Sequence, residues 1–279
     1  MIKISIILPT YNAAHYLPKL LNILNQQTID FELIIIDSSS SDNTVKIAQK
    51  YTHNITVIPQ PTFDHGGTRT QAAKMAKGEI LIFLTQDALP VNEHTMKNLL
   101  TVFQNKKISA AYGRQIPYSK TNIFGKHLRQ HNYPPTSYIR TLDDKDLHGI
   151  KTAFLSDSFA AYRKTDLENV GWFKNGLIVG EDVQVGARML LEGHSLAYVA
   201  DAEVYHSHSY TLLQEFKRYF DIGVFHNQES WILETFGKAE GEGGKYVKSE
   251  FSYLLEHNAI HRIPEFFLEI KGTGYFKNK

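Results

Sequence analysis

The strongest chemical signal in the chain lies in residues 78–90, GEILIFLTQDALP, where an apolar run ends in Thr85, Gln86, Asp87 and Ala88. Ile80, Leu81, Ile82, Phe83 and Leu84 are too few to span a membrane and too uniformly apolar for a strand wet on one face. They predict a fully buried parallel strand. Open α/β sheets bind their ligands beyond the carboxyl ends of such strands, which puts Asp87 where it can hold a divalent metal ion. An aspartate ahead of a proline-containing loop also caps turns, so the residue alone leaves both roles open. Cysteine is absent, which excludes disulfides, thiolate metal sites and a cysteine nucleophile and leaves oxygen and imidazole as ligands. Mg²⁺ and Mn²⁺ suit that donor set. Asp37 ends another apolar run, FELIII, in the same manner as Asp87.

Holding such groups at strand ends takes alternating strands and helices. Residues 3–8 read as a first buried strand, Leu17, Leu20, Leu21 and Leu24 recur at helical spacing, and residues 31–36 make a second strand. Asp42 opens a helix through residue 50; a strand over 55–58, a helix over 68–75 and the strand over 78–85 complete the alternation. Beyond residue 105 the pattern predicts a strand over 109–112, a long Pro- and Tyr-rich loop over 116–138 and extended chain over 154–162. Helices over 164–170 and 181–191 and a strand over 195–199 follow. Leu212, Leu213, Phe216, Phe220 and Val224 then form a helical apolar stripe, residues 240–244 a flexible break, and the last forty residues an amphipathic tail. With Lys217, Arg218, Lys245 and Lys248 nearby, the stripe predicts packing on the core, a homodimer contact or a peripheral membrane surface.

The 279 residues suffice for one large core with an appendage. Thirty Lys and Arg balance 29 Asp and Glu, so no global field recruits nucleic acid, and an anionic ligand must be met by local groups. The N-terminal segment has no basic, long apolar and cleavable pattern, and no run reaches the roughly 18 apolar residues of a membrane span. A cytoplasmic protein is expected.

Six stretches, in order, resemble family 2 glycosyltransferases of the GT-A fold over about residues 2–210. ILPTYNAAHYLPKLLNILNQQ, IIIDSSSSDNT and GEDVQVGARMLLEGHSLAYVADAEVYHSH resemble the family at large; FDHGGTRTQAA, AAYGRQIP and SDSFAAYRKTDLENVGWF resemble its L-rhamnosyltransferase branch. The resemblance implies an α/β GT-A domain over residues 1–210, with a Rossmann-like, mostly parallel sheet between helices. It divides into a nucleotide-binding half (1–105) and an acceptor half (106–210), followed by a helical region (211–279). It implies inverting transfer of L-rhamnose from dTDP-L-rhamnose to a hydroxyl of a saccharide acceptor, a lipid-linked cell-surface polysaccharide intermediate, at the inner face of the membrane. A UDP-hexose donor, or a non-catalytic subunit that binds nucleotide sugar or glycan, remain alternatives.

On that reading a pyrimidine's imide N–H meets the acceptor-only carboxylate of Asp37, with Tyr11 stacking on the base and Thr10 and Asn12 beside it. Asp87 binds the cation that stabilises the departing diphosphate, aided by His206 or, as second choice, His208. The family's acidic metal motif is reduced here to Gln86-Asp87-Ala88, which puts the ribose contact of Gln86 in doubt. Arg69, with His65 as a further candidate, adds positive charge near the diphosphate or base, with Gly66 and Gly67 permitting close backbone approach, although Arg69 equally suits a salt bridge on a helix surface. The resemblance makes Asp182 the general base and Glu181 its supporting neighbour, although both also suit the start of a helix. With one such carboxylate, a single displacement and inversion follow. Asp157, Trp172 and Phe173 are candidates for contacts to the acceptor sugar.

Overall fold

The computed structural model describes residues 3–238 and 242–267. Among them, β1 (Ile4–Thr10), α1 (Leu17–Leu24), β2 (Glu32–Asp37), α2 (Thr44–Ala48), β3 (Ile55–Val57), α3 (His65–Met75) and β4 (Ile80–Leu84) form the expected alternation. They are followed by β5 (Leu89–Pro90), α4 (Thr95–Leu100), β6 (Ile108–Ile116), α5 (Ile123–Asn132), β7 (Tyr138–Arg140) and α6 (Lys145–His148). β8 (Phe159–Arg163), α7 (Lys164–Asn169), α8 (Glu181–Leu191), β9 (Ser195–Tyr205), α9 (Leu212–Gln228), α10 (Ser230–Phe236) and α11 (Glu242–Glu256) complete them.

The strands make one sheet in the order β3-β2-β1-β4-β8-β6-β9-β5, with β7 also paired to β9. β1 pairs in parallel with β2 and β4, β2 with β3, and β6 with β9. β8 runs antiparallel to both β4 and β6, which leaves β6 and β9 pointing the same way as β4. The carboxyl ends of β1, β2, β4, β6 and β9 therefore share one edge with the amino end of β8. Every residue of β4 is fully buried, as a strand covered by helices on both faces requires. Burying each of its five side chains stabilises the fold by about 1.5–3 kcal/mol.

Several elements depart from the sequence reading, β6 among them, which runs on past residue 112 to Ile116. α5 stands inside the expected loop 116–138, capped by Asn122, whose side chain accepts from Gly125 N at 2.8 Å. Few of its residues are apolar, and Phe124 packs against Leu254, Ala259 and Phe266 far along the chain, so local periodicity could not reveal it. β9 continues past residue 199 to Tyr205 because its pairing with β6 jumps from Gly113–Val199 to Arg114–Glu203. The irregularity leaves the exposed Asp201 out of the β6–β9 register. Residues 154–158, expected to be extended, turn before β8 begins.

The C-terminal helices join the core through residues outside the predicted stripe: Phe225 of α9 and Ile232 and Phe236 of α10 are buried in the main cluster. Leu212, Leu213, Phe216 and Phe220 stay exposed among the described residues. The break expected at 240–244 begins outside the described residues, at 240 and 241, and from Glu242 the chain is helical. The end of the amphipathic tail, 268–279, also lies outside them.

Candidate active site

The β1 and β2 ends are stitched together by side chains. Asp37 is fully buried, and its carboxylate accepts from Thr10 Oγ1 (2.8 Å), Ser40 N (2.8 Å) and Ser40 Oγ (2.6 Å). Thr10 and Ser40 thus take three of the roughly four acceptor sites of the Asp37 carboxylate, the group expected to meet the base. Asn12, at φ 46°, accepts from Ser41 N at 2.9 Å and donates its own N–H to Ser40 Oγ at 2.8 Å. Asn tolerates that left-handed conformation better than most residues. Tyr11 leaves its ring 45% exposed while its backbone is gripped by Gln86, which accepts from Tyr11 N at 2.9 Å and donates to Tyr11 O at 3.2 Å. An ionised aspartate in place of Gln86 has no proton to give that carbonyl.

Next to Gln86, the β4 and β9 ends bring Asp87, His206 and His208 together. Asp87 Oδ2 lies 3.5 Å from His206 Nε2 and 3.7 Å from His208 Nε2, and the three groups offer ligand atoms within 4.8 Å of one another. Burial pushes the Asp87 carboxyl up, but a protonated His206, through its hydrogen bond and charge, outweighs it, so beside a protonated ring Asp87 lies well below the usual carboxylate range. Burial, then the charge of His206, lowers His208 to about 4. One carboxylate oxygen and two imidazole nitrogens are a donor set that fits a divalent cation, and the imidazoles favour Mn²⁺ over Mg²⁺. A cavity of about 180 Å³ opens beside Asp87, lined by His15, Tyr16, Lys19, Leu20, Gln86, Leu89 and Tyr118.

The second cluster lies where the turn before β8 meets the start of α8. Arg69, almost fully buried, ion-pairs with Asp157 at 3.2 Å and with Glu181 at 3.1 Å. Its charge is committed there, which corrects the expectation that it faces a diphosphate. Asp157 is buried too, and accepts from Tyr162 Oη at 2.5 Å, so its carboxylate is occupied by protein partners rather than turned to a sugar. Asp182 accepts from two backbone groups, Val183 N at 2.8 Å and Asp157 N at 3.2 Å. Burial, then the charges of Glu181 and Asp157, raise its carboxyl well above the usual range.

The remaining expectations change more. Phe173 packs edge-on against Phe83 and Tyr162 at centroid distances of 5.1 and 5.3 Å; it is a core residue and presents no face to a sugar. Trp172 is half-buried beside that core, with Lys74 Nζ 5.7 Å from its ring. Gly66 meets the protein rather than a ligand, since a Cβ there would lie 2.0 Å from the Lys174 carbonyl.

A family model described as glycosyl transferase family 2 matches residues 5–171. The chain belongs to that family. As a family 2 glycosyltransferase it is similar to two O-antigen chain rhamnosyltransferases. WbaN of Salmonella anatum is 44% identical over 99% of this chain and 89% of the relative. RfbN of Salmonella typhimurium is 44% identical over 98% and 88%. Its fold matches TarS of S. aureus in complex with UDP-GlcNAc at a TM-score of 0.61, with 22% identity over 98% of this chain and 80% of that one. It also matches a mannosyltransferase of Pyrobaculum calidifontis in complex with GDP-Man and Mn²⁺ at 0.64, with 18% identity over 100% and 81%. These likenesses show the GT-A fold.

Several residues of this glycosyltransferase's site escape a sequence reading because their meaning lies in distant contacts. Gln115 Oε1 faces both His206 Nδ1 (2.8 Å) and Arg129 Nη1 (2.6 Å), and its Nε2 donates to Ser156 Oγ at 2.8 Å, next to Asp157. The two clusters are thus bridged. Gly180, just ahead of Glu181, has φ 82°, and a Cβ there would lie 2.8 Å from the Phe225 ring. Only the AAYGRQIP resemblance drew attention to Gln115; nothing local marked Phe225.

Proposed function

We propose that this family 2 glycosyltransferase moves L-rhamnose from dTDP-L-rhamnose to a hydroxyl of a lipid-linked polysaccharide intermediate, with inversion, on the cytoplasmic side of the membrane. What supports the sugar is the 44% identity, over almost the whole chain, to O-antigen rhamnosyltransferases. What supports the chemistry is the strand-end edge, which gathers the Asp87 group and the Asp182 cluster.

Tyr11 offers its exposed ring to the base, and Gln86 holds the Tyr11 backbone in register with Asp87. Asp87, His206 and His208 hold a divalent cation, which when bound stabilises the charge gathering on the departing diphosphate. Asp182, whose raised carboxyl binds a proton readily, takes the proton from the acceptor hydroxyl as it attacks. Arg69 pairs with Asp157 and Glu181 and leaves Asp182 outside those ion pairs. One base acting in one displacement inverts the anomeric centre.

A donor screen following nucleoside diphosphate release tests the reading. Turnover is expected with dTDP-L-rhamnose and Mn²⁺ and is expected to stop on adding EDTA. Turnover of UDP-glucose or UDP-galactose with none of dTDP-L-rhamnose would remove the sugar assignment, and turnover that survives EDTA would remove the cation.

A further inference from the structure

The contacts of Gln115 fix more than its own place. An arginine has five N–H donors and no acceptor, so the Gln115 atom 2.6 Å from Arg129 Nη1 must be the oxygen. The same oxygen lies 2.8 Å from His206 Nδ1. Two acceptors do not share a proton they both lack, so Nδ1 carries the hydrogen. The amide nitrogen, 2.8 Å from Ser156 Oγ, completes the orientation, and the side chain is 1% exposed, so no water competes for it.

A neutral imidazole protonated at Nδ1 has a bare lone pair at Nε2. In His206 that atom faces Asp87 Oδ2 at 3.5 Å; with the ring neutral, two acceptors then meet, an arrangement that a cation between them makes favourable. We infer that Gln115 is the positioning residue of the Asp87–His206–His208 group, holding His206 with Nδ1 protonated and Nε2 bare toward Asp87. The inference rests on reading that group as the cation site. Gln115 itself touches neither Asp87 nor any reacting atom, so its effect passes through His206. Arg129 belongs to the device as well, since it forces the amide orientation from α5, the helix absent from the sequence reading.

Partners that orient a histidine ligand in this way typically alter metal affinity by roughly 10- to 100-fold when removed. The experiment combines two readouts on the full chain: the ring-nitrogen NMR signals of His206 in metal-free, mildly alkaline buffer, assigned by their loss in His206→Ala, and Mn²⁺ affinity by calorimetry. The wild-type protein is expected to show the Nδ1–H tautomer. Gln115→Met, similar in length but without the oxygen, is expected to lose that tautomer and to bind Mn²⁺ roughly 10- to 100-fold more weakly. Gln115→Glu keeps an acceptor toward both Arg129 and His206, and is expected to retain tautomer and affinity.

An Nε2–H tautomer in the wild type, an unchanged tautomer in Gln115→Met, or equal loss of Mn²⁺ binding in Gln115→Met and Gln115→Glu would each overturn the inference. If Gln115→Met does not fold, the wild-type spectrum and Gln115→Glu still decide. A wild-type protein with the Nδ1–H tautomer but no Mn²⁺ binding would support the role of Gln115 and sink the cation reading instead.

Discussion

Asp182 stands outside the two ion pairs that Arg69 makes with Asp157 and Glu181, and that asymmetry carries the predictions at the scale of single residues. Asp182→Asn keeps size and most hydrogen bonding but cannot accept the acceptor's proton. Transfer is expected to fall by about 10²- to 10⁴-fold with donor binding unchanged; near-normal transfer would remove Asp182 from the chemistry. Because burial and the charges of Glu181 and Asp157 raise its carboxyl in the fold, the folded state binds a proton that the unfolded chain has already released. The stability this contributes is present below the unfolded pKa and lost as pH rises through the folded one. Asn does not titrate, so the melting temperature of Asp182→Asn should gain on the wild type as pH rises. A constant gap would contradict the raised carboxyl. Glu181→Gln removes one of the named charges, and the acid limb of the rate profile should move to lower pH. Arg69 holds the opposite position, a buried cation between two carboxylates. Arg69→Leu leaves both uncompensated, and chemical denaturation should register a loss of about 3–5 kcal/mol.

Between elements, the controlling contact is Gly180 against Phe225. Gly180→Ala both strains a left-handed residue and drives a methyl group into the ring; overpacking of this kind costs about 1–3 kcal/mol. Phe225→Ala alone leaves a cavity costing about 3–5 kcal/mol. Since the small side chain removes the clash, the double variant should cost less than the sum of the two, and strict additivity in a denaturation cycle would deny the contact. Such pairings mark the limit of what was legible from the sequence. β1, β2, β4 and α8 were readable because apolar spacing and end signals are local, and so were the places of Asp87 past β4 and of Glu181 and Asp182 at the start of α8, whereas the choice of Asp182 between those two came from the family resemblance. The ion pairs of Arg69, the bonds of Ser40 to Asp37 and the seat of Phe173 were not readable, since each is decided by a residue brought in by the sheet order. α5 was hidden for the same reason: its packing partner is α11.

At the scale of the whole molecule, a formal charge of +1 leaves recognition to local groups, and no helix among the described residues is long and apolar enough to cross a membrane. The exposed Leu212, Leu213, Phe216 and Phe220 on α9, beside Lys217 and Arg218, suit the headgroup boundary of a bilayer that holds the proposed acceptor. Sedimentation with anionic liposomes at low salt is expected, and Leu213→Glu should weaken it. No sedimentation would set the bilayer aside and direct attention to a second copy of the chain, which light scattering would detect. Phe225 has one more consequence, for the order in which the protein is made. The residues that open α8 leave the ribosome well before the ring that closes over Gly180. Until α9 has emerged, the nascent chain holds Glu181 and Asp182 without the ring packed against Gly180, so activity should appear late in synthesis, after most of the sheet has already been able to pair.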